Sequence, residues 1–411
     1  MRRAVVWFPH NPVPPITGAH KRCLSLLESL RDLGWSSVLL SSDLAHNAWT
    51  NESIDELSSS LVREVRVYQT PAVEWQVRGL AVKAANLRTK VGMPSLDSWA
   101  VIPPGQRVWS RRQVESLSPD LLLSSYAQYD PLVPHFDFPS VQRMIDNIDL
   151  VSVSQAMWTL LAPELTKRRP LVTADVSDAV LSPSFLQAAQ GRVSARELRL
   201  YDRYTDVLAI SSEEGKQISA GTSRTRVHYI PMTARVSAKT NTFDQPPVFV
   251  GAPNPFNLQG LLWFARHVLP EVRRRHSSFE LEAVGATFVR WDADPGIDLQ
   301  GPVDDLDEVY AHAAFAVCPL LAGTGEQVKI IDAMSHGLAV VATRQTASSS
   351  PIIHGVNGYV ADTPAEFADR VSELWGDRSL CRTLGDAARD TIATDYSPSR
   401  TTAELDAILG A

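Results

Sequence analysis

A glycine turn that leads into a helix carries the residues best placed to do chemistry in this chain. The turn is Gly323–Gly325, and the apolar spacing after it predicts a helix that ends at Gly337. Such a helix start presents unpaired amide N–H groups and the positive end of the helix dipole, so it suits an anion, and a diphosphate is the expected one. Lys329 and Asp332 fall on the same helix face as Gly325, so a cation and a carboxylate would meet the same ligand. The alternative is a capped core helix on which both charges are simply solvated.

Composition and charge narrow the class of protein. A chain of 411 residues with 44% hydrophobic and 21% charged residues predicts a globular protein of two domains. The net charge of -7 disfavours nucleic acid as a partner. The first residues, MRRAVVWFPHNP, predict a strand and not a signal peptide, and no segment has the run of about 18 apolar residues that spans a bilayer. Cys23, Cys318 and Cys381 lack the spacing of a disulfide framework or a metal site, so a cytoplasmic location is expected.

Strand and helix patterns predict two successive βαβ series. The first begins with a strand at Ala4–Phe8, a helix from Thr17 to Leu33 and a strand at Val38–Ser42. The second begins at Val248, after a stretch rich in Thr, Ser, Ala, Asn and Pro. Doubly wound sheets bind ligands beyond the carboxyl ends of their strands. The residues that follow strands in the second series are therefore expected to cluster, namely Gly251, Gly285, Gly301 and the loop Leu320–Gly325.

The segment Ala322–Thr343 resembles the donor site of retaining glycosyltransferases of the GT-B fold, glycosyltransferase family 4. That family carries a glycine loop and then E-A-M-A-x-G-x-P-V-V-A-T, and this chain has D-A-M-S-H-G-L-A-V-V-A-T from Asp332 to Thr343. The family's two glutamates, separated by seven residues, correspond here to Thr324 and Asp332. A branch with a G-[TS]-G-x-x-x-K loop also lacks the first glutamate, and this chain fits that branch better.

The resemblance implies an α/β protein of the GT-B fold, with two doubly wound Rossmann-like domains that face each other across a cleft. The implied division is an acceptor-binding domain at 1–231, a linker at 232–247, a donor-binding domain at 248–395 and a helix within 396–411 that crosses back to the first domain. The resemblance is strong from Val248 to Asp395. It is poor from about Thr50 to Leu117, where the family recognises its acceptor.

The activity implied is transfer of a hexose-type sugar from a nucleoside-diphosphate sugar to a hydroxyl of a glycan, lipid-linked or metabolite acceptor, with retention of configuration. The departing diphosphate needs charge relief above all. The better-known branch uses an Arg and a Lys after the strand that ends at Gly251, but the stretch Gly251–Gly260 contains neither. Lys329 and the amides of Thr324 to Glu326 are therefore expected to stabilise the charge of the departing diphosphate, without a metal or another cofactor. A D-x-D sequence at a strand end could hold Mg²⁺, but Asp292–Asp294 lies in a predicted surface loop and not at such a strand end.

The catalytic candidates are Lys329, Glu326 and Thr324, and Asp332 is expected to bind the ribose. Glu326 either contacts hydroxyls of the donor sugar or complements the helix dipole. The region Gly301–Val303 is expected to take the base through backbone groups. The remaining donor-site candidates are glycines and polar residues of loops and helix starts: Gly18, Gly251, Asn254, Asn257, Gly301, Val303, Gly323, Gly325 and His354.

Acceptor candidates lie in the first half of the chain. Asp146 and Asp149 occupy a stretch similar to the family's D-x-H-[DN] loop, with Ile148 in place of histidine. They bind acceptor hydroxyls or, in the slightly preferred interpretation, cap a helix from Ser152. His20 follows the loop P-P-I-T-G and is positioned to face the cleft.

Between Trp75 and Val91 an apolar stripe is flanked by basic residues. This segment lies on a membrane surface, guides an acceptor or, in the preferred interpretation, packs its stripe on the sheet.

Two other functions are compatible with the sequence. A catalytically silent partner subunit is favoured by Thr324 and by the missing Arg/Lys pair. A sugar-nucleotide epimerase or hydrolase would need acid–base carboxylates and histidines that the sequence does not place together. Sugar-nucleotide binding and slow donor hydrolysis distinguish an enzyme from a silent subunit, which shows neither.

Overall fold

The computed structural model describes residues 2–44, 47–80, 102–135, 140–166, 171–191, 193–252, 254–285, 291–292 and 294–410. The strands, in chain order, are β1 (Arg3–Trp7), β2 (Ser36–Ser42), β3 (Glu64–Tyr68), β4 (Leu121–Ser125), β5 (Gln142–Asn147), β6 (Leu171–Val172), β7 (Asp206–Ala209), β8 (Arg226–Tyr229), β9 (Val248–Val250), β10 (Leu281–Val284), β11 (Trp291–Asp292), β12 (Ile297–Gly301), β13 (Ala316–Cys318), β14 (Val340–Thr343) and β15 (Gly358–Ala361). The main helices are α1 (Gly18–Asp32), α2 (Asn51–Ser60), α3 (Pro104–Leu117), α4 (Val151–Thr166), α5 (Ala195–Tyr201), α6 (Ser212–Gly221), α7 (Pro255–Trp263), α8 (Leu269–Arg275), α9 (Leu306–His312), α10 (Val328–Ser335), α11 (Arg344–Ala347), α12 (Pro364–Gly376), α13 (Arg378–Asp395) and α14 (Pro398–Gly410).

The chain forms two compact units. Unit 1 comprises Met1–Val151, Val193–Thr233 and Pro398–Ala411, and unit 2 comprises Ser152–Arg192 and Ala234–Ser397. Each unit contains one large parallel sheet, in the strand order β3-β2-β1-β4-β5-β7-β8 for unit 1 and β12-β10-β9-β13-β14-β15 for unit 2, and β11 and β6 form a separate two-stranded sheet. The predicted class, an α/β protein with two doubly wound sheets, is confirmed.

The core of unit 1 follows from the alternation of side chains along β1. Ala4, Val6 and Phe8 point to one face and belong to a buried cluster that also holds Leu26 and Leu27 of α1. Leu405, Ile408 and Leu409 of α14 join the same cluster. Thr402 of α14 donates a hydrogen bond to Ser29 of α1, with 3.0 Å between the two hydroxyl oxygens. The last helix therefore packs against the first helix of unit 1.

The boundary between the units differs from the predicted domain division. Residues 152–192 fall within the predicted first domain but group with unit 2. Side chains of unit 2 bind backbone carbonyls of this segment: Gln259 Nε2 donates to Val180 O over 2.7 Å, and Arg266 donates to Val176 O over 2.6 Å. Strand β6 also pairs with β11. These contacts join residues far apart in the chain, so local patterns in the sequence do not indicate them.

The predicted basic segment at Trp75–Val91 lies partly outside the described residues, which end at 80 and resume at 102. Residues 72–80 are helical, and Val73, Trp75, Val77 and Leu80 are exposed. Among all described residues, no helix combines the length and the apolar character needed to cross a membrane.

Helix α13 packs closely against the end of α10. Gly385 of α13 lies so near Gly337 that a Cβ atom added at Gly385 would be 2.0 Å from the Gly337 carbonyl oxygen. Gly337 itself has a φ of +73°, which suits the glycine that ends a helix. This contact fixes the carboxyl-terminal end of α10.

We predict that Gly385→Ala destabilises unit 2 by about 1–3 kcal/mol, because the added methyl group meets backbone that cannot rotate away. The matched control is Gly376→Ala at the end of α12, where an added Cβ meets nothing within 4 Å. Helix propensity alone favours alanine at both positions by up to about 1 kcal/mol. Urea unfolding of both variants measures the difference, and equal stability of the two would contradict the close packing.

Candidate active site

Three strands of the second sheet end in glycine at the same edge. Gly251, Gly285 and Gly301 follow or end β9, β10 and β12, which are neighbours in the sheet. Gly285 N donates to Gly301 O over 2.6 Å, and a Cβ atom at Gly285 would lie 2.0 Å from Gly251 O. Gly285 has a φ of +132°, so both its conformation and its surroundings require glycine. The structure thus brings together the glycines that the sequence analysis grouped at one edge.

The loop that follows β13 is attached to the neighbouring strand end. Thr343, the last residue of β14, donates its hydroxyl to Leu320 O, and Thr346 donates to the same carbonyl over 2.9 Å. On its other side the loop meets α7, where a Cβ added at Gly260 would be 2.8 Å from Pro319 O. The loop therefore begins from a rigid base at the carboxyl edge of the sheet, next to β9.

The glycine turn does not pass directly into the helix. Helix α10 begins at Val328, so residues 323–327 form a loop, in which Gly325 has a φ of +67°. Among the described residues, no side chain caps the start of α10. A helix start of this kind suits an anion, because backbone amides and the helix dipole both favour negative charge there.

Lys329 lies one residue inside α10, and its ammonium is held by two groups of unit 2. Its Nζ donates a hydrogen bond to Asn257 Oδ1 and lies 4.9 Å from the ring centroid of Phe249. The amide of Asn257 donates in turn to Ala252 O over 2.8 Å, which fixes the orientation of its oxygen. Burial lowers the pKa of Lys329, and Cys318 acts in the opposite direction. The residue as a whole is half-buried, and its ammonium is poorly solvated.

The two acidic candidates of the donor segment differ in their surroundings. Glu326 is only 8% exposed, and its Oε1 accepts a hydrogen bond from the Tyr396 hydroxyl over 2.8 Å. Asp332 is half-buried on α10, one helical turn beyond Lys329. Burial, reinforced by the charge of Asp332, raises the pKa of Tyr310, so Asp332 lies on the side of α10 that is near that ring. Thr324 is half-buried in the loop.

The other candidates of unit 2 lie at several places. Asn254 caps α7 by accepting from Phe256 N over 2.8 Å, and Val303 follows β12. His354 lies just before the edge strand β15, where its Nδ1 accepts from Val360 N over 3.1 Å. Strand β15 is two strands away from β13 in the sheet.

Two of the candidates of unit 1 lie at the start of α1. Gly18 is the first residue of that helix, and Thr17 caps it by accepting from His20 N over 3.3 Å. The ring of His20 is buried beside Phe8 and His10, at 6.0 Å between centroids in each case. Burial lowers the pKa of His20.

Asp146 has a structural partner that the sequence analysis missed. Its Oδ1 accepts from Arg22 Nε over 3.1 Å and Nη2 over 3.0 Å, and neither side chain is exposed. Burial raises the pKa of Asp146, and the charge of Arg22 opposes this. Asp146 therefore lies in a buried ion pair, and its placement supports neither a direct acceptor contact nor the preferred capping role. Arg22 shares a helix face with the buried Leu26 and Leu30, so its spacing indicates burial, whereas its charge is unusual at a core position.

The first amide of α4 is bound by a residue that the sequence analysis also missed. Glu197 Oε1 of α5 accepts from Val151 N over 2.9 Å and from the Tyr201 hydroxyl over 2.9 Å. Asp149, half-buried two residues before the helix, is one of the residues whose charge raises the pKa of Tyr201, after burial and Glu197. Since Glu197 lies 46 residues away from Val151, a local capping rule does not identify it.

Among the described residues, no group of three or more His, Cys, Asp or Glu side chains is placed to hold a metal ion. The three cysteines are free and buried.

Comparison with known proteins agrees with this arrangement. Residues 247–377 match the family model described as glycosyl transferases group 1. No curated protein matches this chain in sequence.

Solved structures resemble the chain over its whole length. Sucrose-phosphate synthase from Thermosynechococcus elongatus is 12% identical with a TM-score of 0.65, covering 100% of this chain and 98% of that one. A variant of TarM from S. aureus in complex with fondaparinux, α-GlcNAc-glycerol and UDP is 9% identical, with a TM-score of 0.66. HepE from Anabaena in complex with UDP and glucose is 13% identical, with a TM-score of 0.58. Each of these two matches covers 100% of both chains. At such low identity the likeness establishes the fold, which is GT-B.

The lowered pKa of Lys329 predicts how diphosphate binding depends on pH. The buried ammonium loses its proton below the ordinary pKa of 10.5, so affinity for inorganic pyrophosphate should be steady at lower pH and fall as the pH rises through the lowered pKa. Calorimetric titration between about pH 7 and pH 10 measures this. Lys329→Arg, which keeps its charge over this range, is the control that subtracts the ligand's own ionisation. A difference between the two proteins that stays constant over this range would contradict the prediction.

Proposed function

We propose that this chain, a glycosyltransferase of the GT-B fold, transfers a hexose-type sugar from a nucleoside-diphosphate sugar to a hydroxyl group of a glycan, lipid-linked or metabolite acceptor. The transfer retains the anomeric configuration and uses neither a metal ion nor another cofactor. Unit 2 binds the donor, and unit 1 supplies acceptor contacts.

One observation carries the proposal. The ammonium of Lys329 lies beside an uncapped helix start, at the carboxyl edge of a parallel sheet whose neighbouring strands end in Gly251, Gly285 and Gly301. Its hydrogen-bond partner is the neutral amide of Asn257. Carboxyl edges of such sheets bind nucleotides, and a poorly solvated cation favours an anionic ligand. The presence of UDP in the HepE and TarM structures supports a nucleoside diphosphate as that anion.

The proposed roles follow the charge that develops during transfer. The bond between the anomeric carbon and the diphosphate oxygen breaks, and its electron pair stays on the diphosphate. The acceptor oxygen attacks the anomeric carbon from the same face, and its proton passes to the departing diphosphate oxygen, so no protein base is required. Lys329 and the amides of Thr324 to Glu326 stabilise the diphosphate, because fixed donors aimed at developing charge lower the barrier most. Asp332 binds the ribose, and Gly301–Val303 takes the base.

The proposal for the acceptor side rests on fewer observations. His20 lies at the start of α1, and Asp149 follows β5 and is half-buried. The exposed apolar side chains of residues 72–80 support contact with an acceptor or with a membrane surface. Three free cysteines support a reducing compartment, so we place the protein in the cytoplasm, peripherally at the inner membrane face where that contact forms.

The decisive experiment is a thermal-shift screen over nucleoside diphosphates and their sugars. The wild-type protein is expected to be stabilised by at least one of them, because a ligand that binds only the folded state raises its stability. Lys329→Ala is expected to abolish this shift. The control is Lys239→Ala, which removes an exposed lysine of unit 2 that pairs with Glu308. A shift that survives in Lys329→Ala would remove this lysine from the diphosphate site, and no shift with any ligand would contradict the proposed function.

A second experiment tests the mechanism. With the donor identified by the screen, transfer or slow donor hydrolysis should proceed at the same rate after EDTA treatment as before it. Proton NMR of the product should show the anomeric configuration of the donor. Loss of activity in EDTA that Mg²⁺ restores would establish metal dependence, and an inverted product would exclude retention.

A further inference from the structure

The donor loop is attached to a distant tyrosine. The hydroxyl of Tyr396 donates to Glu326 Oε1 over 2.8 Å, with Tyr396 6% and Glu326 8% exposed. A hydrogen bond to a charged group contributes about 1.5–3 kcal/mol, and a buried carboxylate that loses its partner pays its full desolvation cost. Glu326 lies within the loop of residues 323–327 that precedes α10. The position of this loop therefore depends on where Tyr396 is held.

Tyr396 is held firmly by its backbone. It directly follows α13, with its N–H donating to Ile392 O over 3.1 Å. Its carbonyl accepts from Ala234 N over 2.8 Å. Ala234 and Ser397 are the first and last residues of the longer of the two segments that make up unit 2. The tyrosine thus has little freedom to move, and its hydroxyl is a fixed donor.

The hydrogen bond from Tyr396, which directly follows α13, accompanies a close contact between α13 itself and the donor segment. At the other end, Gly385 packs against the Gly337 carbonyl. Eleven residues separate Gly385 from Tyr396, and eleven also separate Glu326 from Gly337. Because the earlier residue of one segment meets the later residue of the other in each contact, α13 runs antiparallel to α10. The Gly385 contact fixes the end of α10, and the Tyr396 hydroxyl fixes the loop before its start.

The direction of the Glu326 side chain affects how strongly its carboxylate would repel an anionic ligand. A carboxylate turned toward a diphosphate would repel it, because like charges at short range disfavour each other. The hydrogen bond with Tyr396 keeps this carboxylate against the end of α13. The backbone of the loop can then present its amides to the ligand.

We propose that Tyr396 is a positioning residue for the donor site, acting through Glu326 to hold the loop of residues 323–327 in the conformation that binds the diphosphate. The inference rests on the proposed function, since it assigns that loop to the donor. It adds a residue 70 positions beyond Glu326 in the chain, outside the donor segment itself.

The test uses the full-length protein and the nucleoside diphosphate, among UDP, GDP, dTDP and ADP, that the wild-type protein binds most tightly. Tyr396→Phe is expected to weaken its binding about tenfold, the equivalent of one charged hydrogen bond. Glu326→Ala should weaken binding to a similar extent, and the double variant should be no weaker than Glu326→Ala, because the two side chains act through one contact. Glu326→Gln should lose less than Glu326→Ala, since its amide oxygen still accepts from Tyr396.

The matched control is Tyr359→Phe, which removes an equivalent bond from a tyrosine hydroxyl to Glu373 Oε1, at 3.0 Å, on the edge strand β15. Melting temperatures without ligand are recorded for every variant. Weaker binding in Tyr396→Phe that exceeds the effect of Tyr359→Phe at a similar melting temperature supports positioning. Equal loss in both variants would show a purely structural role and overturn the inference.

Lys329→Ala separates this inference from the proposed function. If Tyr396→Phe binds like the wild type while Lys329→Ala has lost binding, the proposed donor site is supported and the proposed role of Tyr396 is wrong. If the wild-type protein binds none of the four nucleoside diphosphates, both the proposed function and the role of Tyr396 are wrong.

Discussion

The proposed donor site depends on the interaction between a poorly solvated ammonium and a neutral partner. Burial of Lys329 disfavours its charged form, and the hydrogen bond to Asn257 with the nearby ring of Phe249 offsets only part of that cost. The helix start beside it carries partial positive charge as well. Two positive elements at one sheet edge favour an anionic ligand, which is why we propose that the diphosphate binds there.

Rigid backbone contacts keep these elements in place. Glycines at the ends of β9, β10 and β12 allow the backbones to approach, and threonine hydroxyls at the end of β14 hold Leu320 at the base of the loop. Gly385 and Tyr396 fix the donor segment from the side of α13. Apart from the hydrogen bond between Tyr396 and Glu326, these contacts use glycines or threonine hydroxyls that meet the backbone directly. This suits a site whose ligand is bound by backbone amides.

Local patterns in the sequence were sufficient for the fold and for the grouping of glycines at one edge of the second sheet. Apolar runs predicted the buried strands at Val248 and at Leu338–Ala342, and glycines after strands indicated the edge at which we propose the donor site. Two important pairs of polar side chains could not be predicted from such patterns. Lys329 and Asn257 lie 72 residues apart, and Arg22 and Asp146 lie 124 apart. Propensity and periodicity act over a few turns, whereas the pairing of distant polar groups depends on how the elements pack.

The contrast between two buried cations indicates which one serves a ligand. The guanidinium of Arg22 is paired with the carboxylate of Asp146 and with the Pro231 carbonyl, so its charge is already compensated within unit 1. Removing either member would leave a buried charge alone, which is the signature of a structural ion pair. Lys329 instead donates to an amide oxygen, which accepts the hydrogen bond but supplies no opposite charge. The positive charge of Lys329 is therefore better placed to meet an anionic ligand than that of Arg22, and for this reason we assign the diphosphate to Lys329 and not to Arg22.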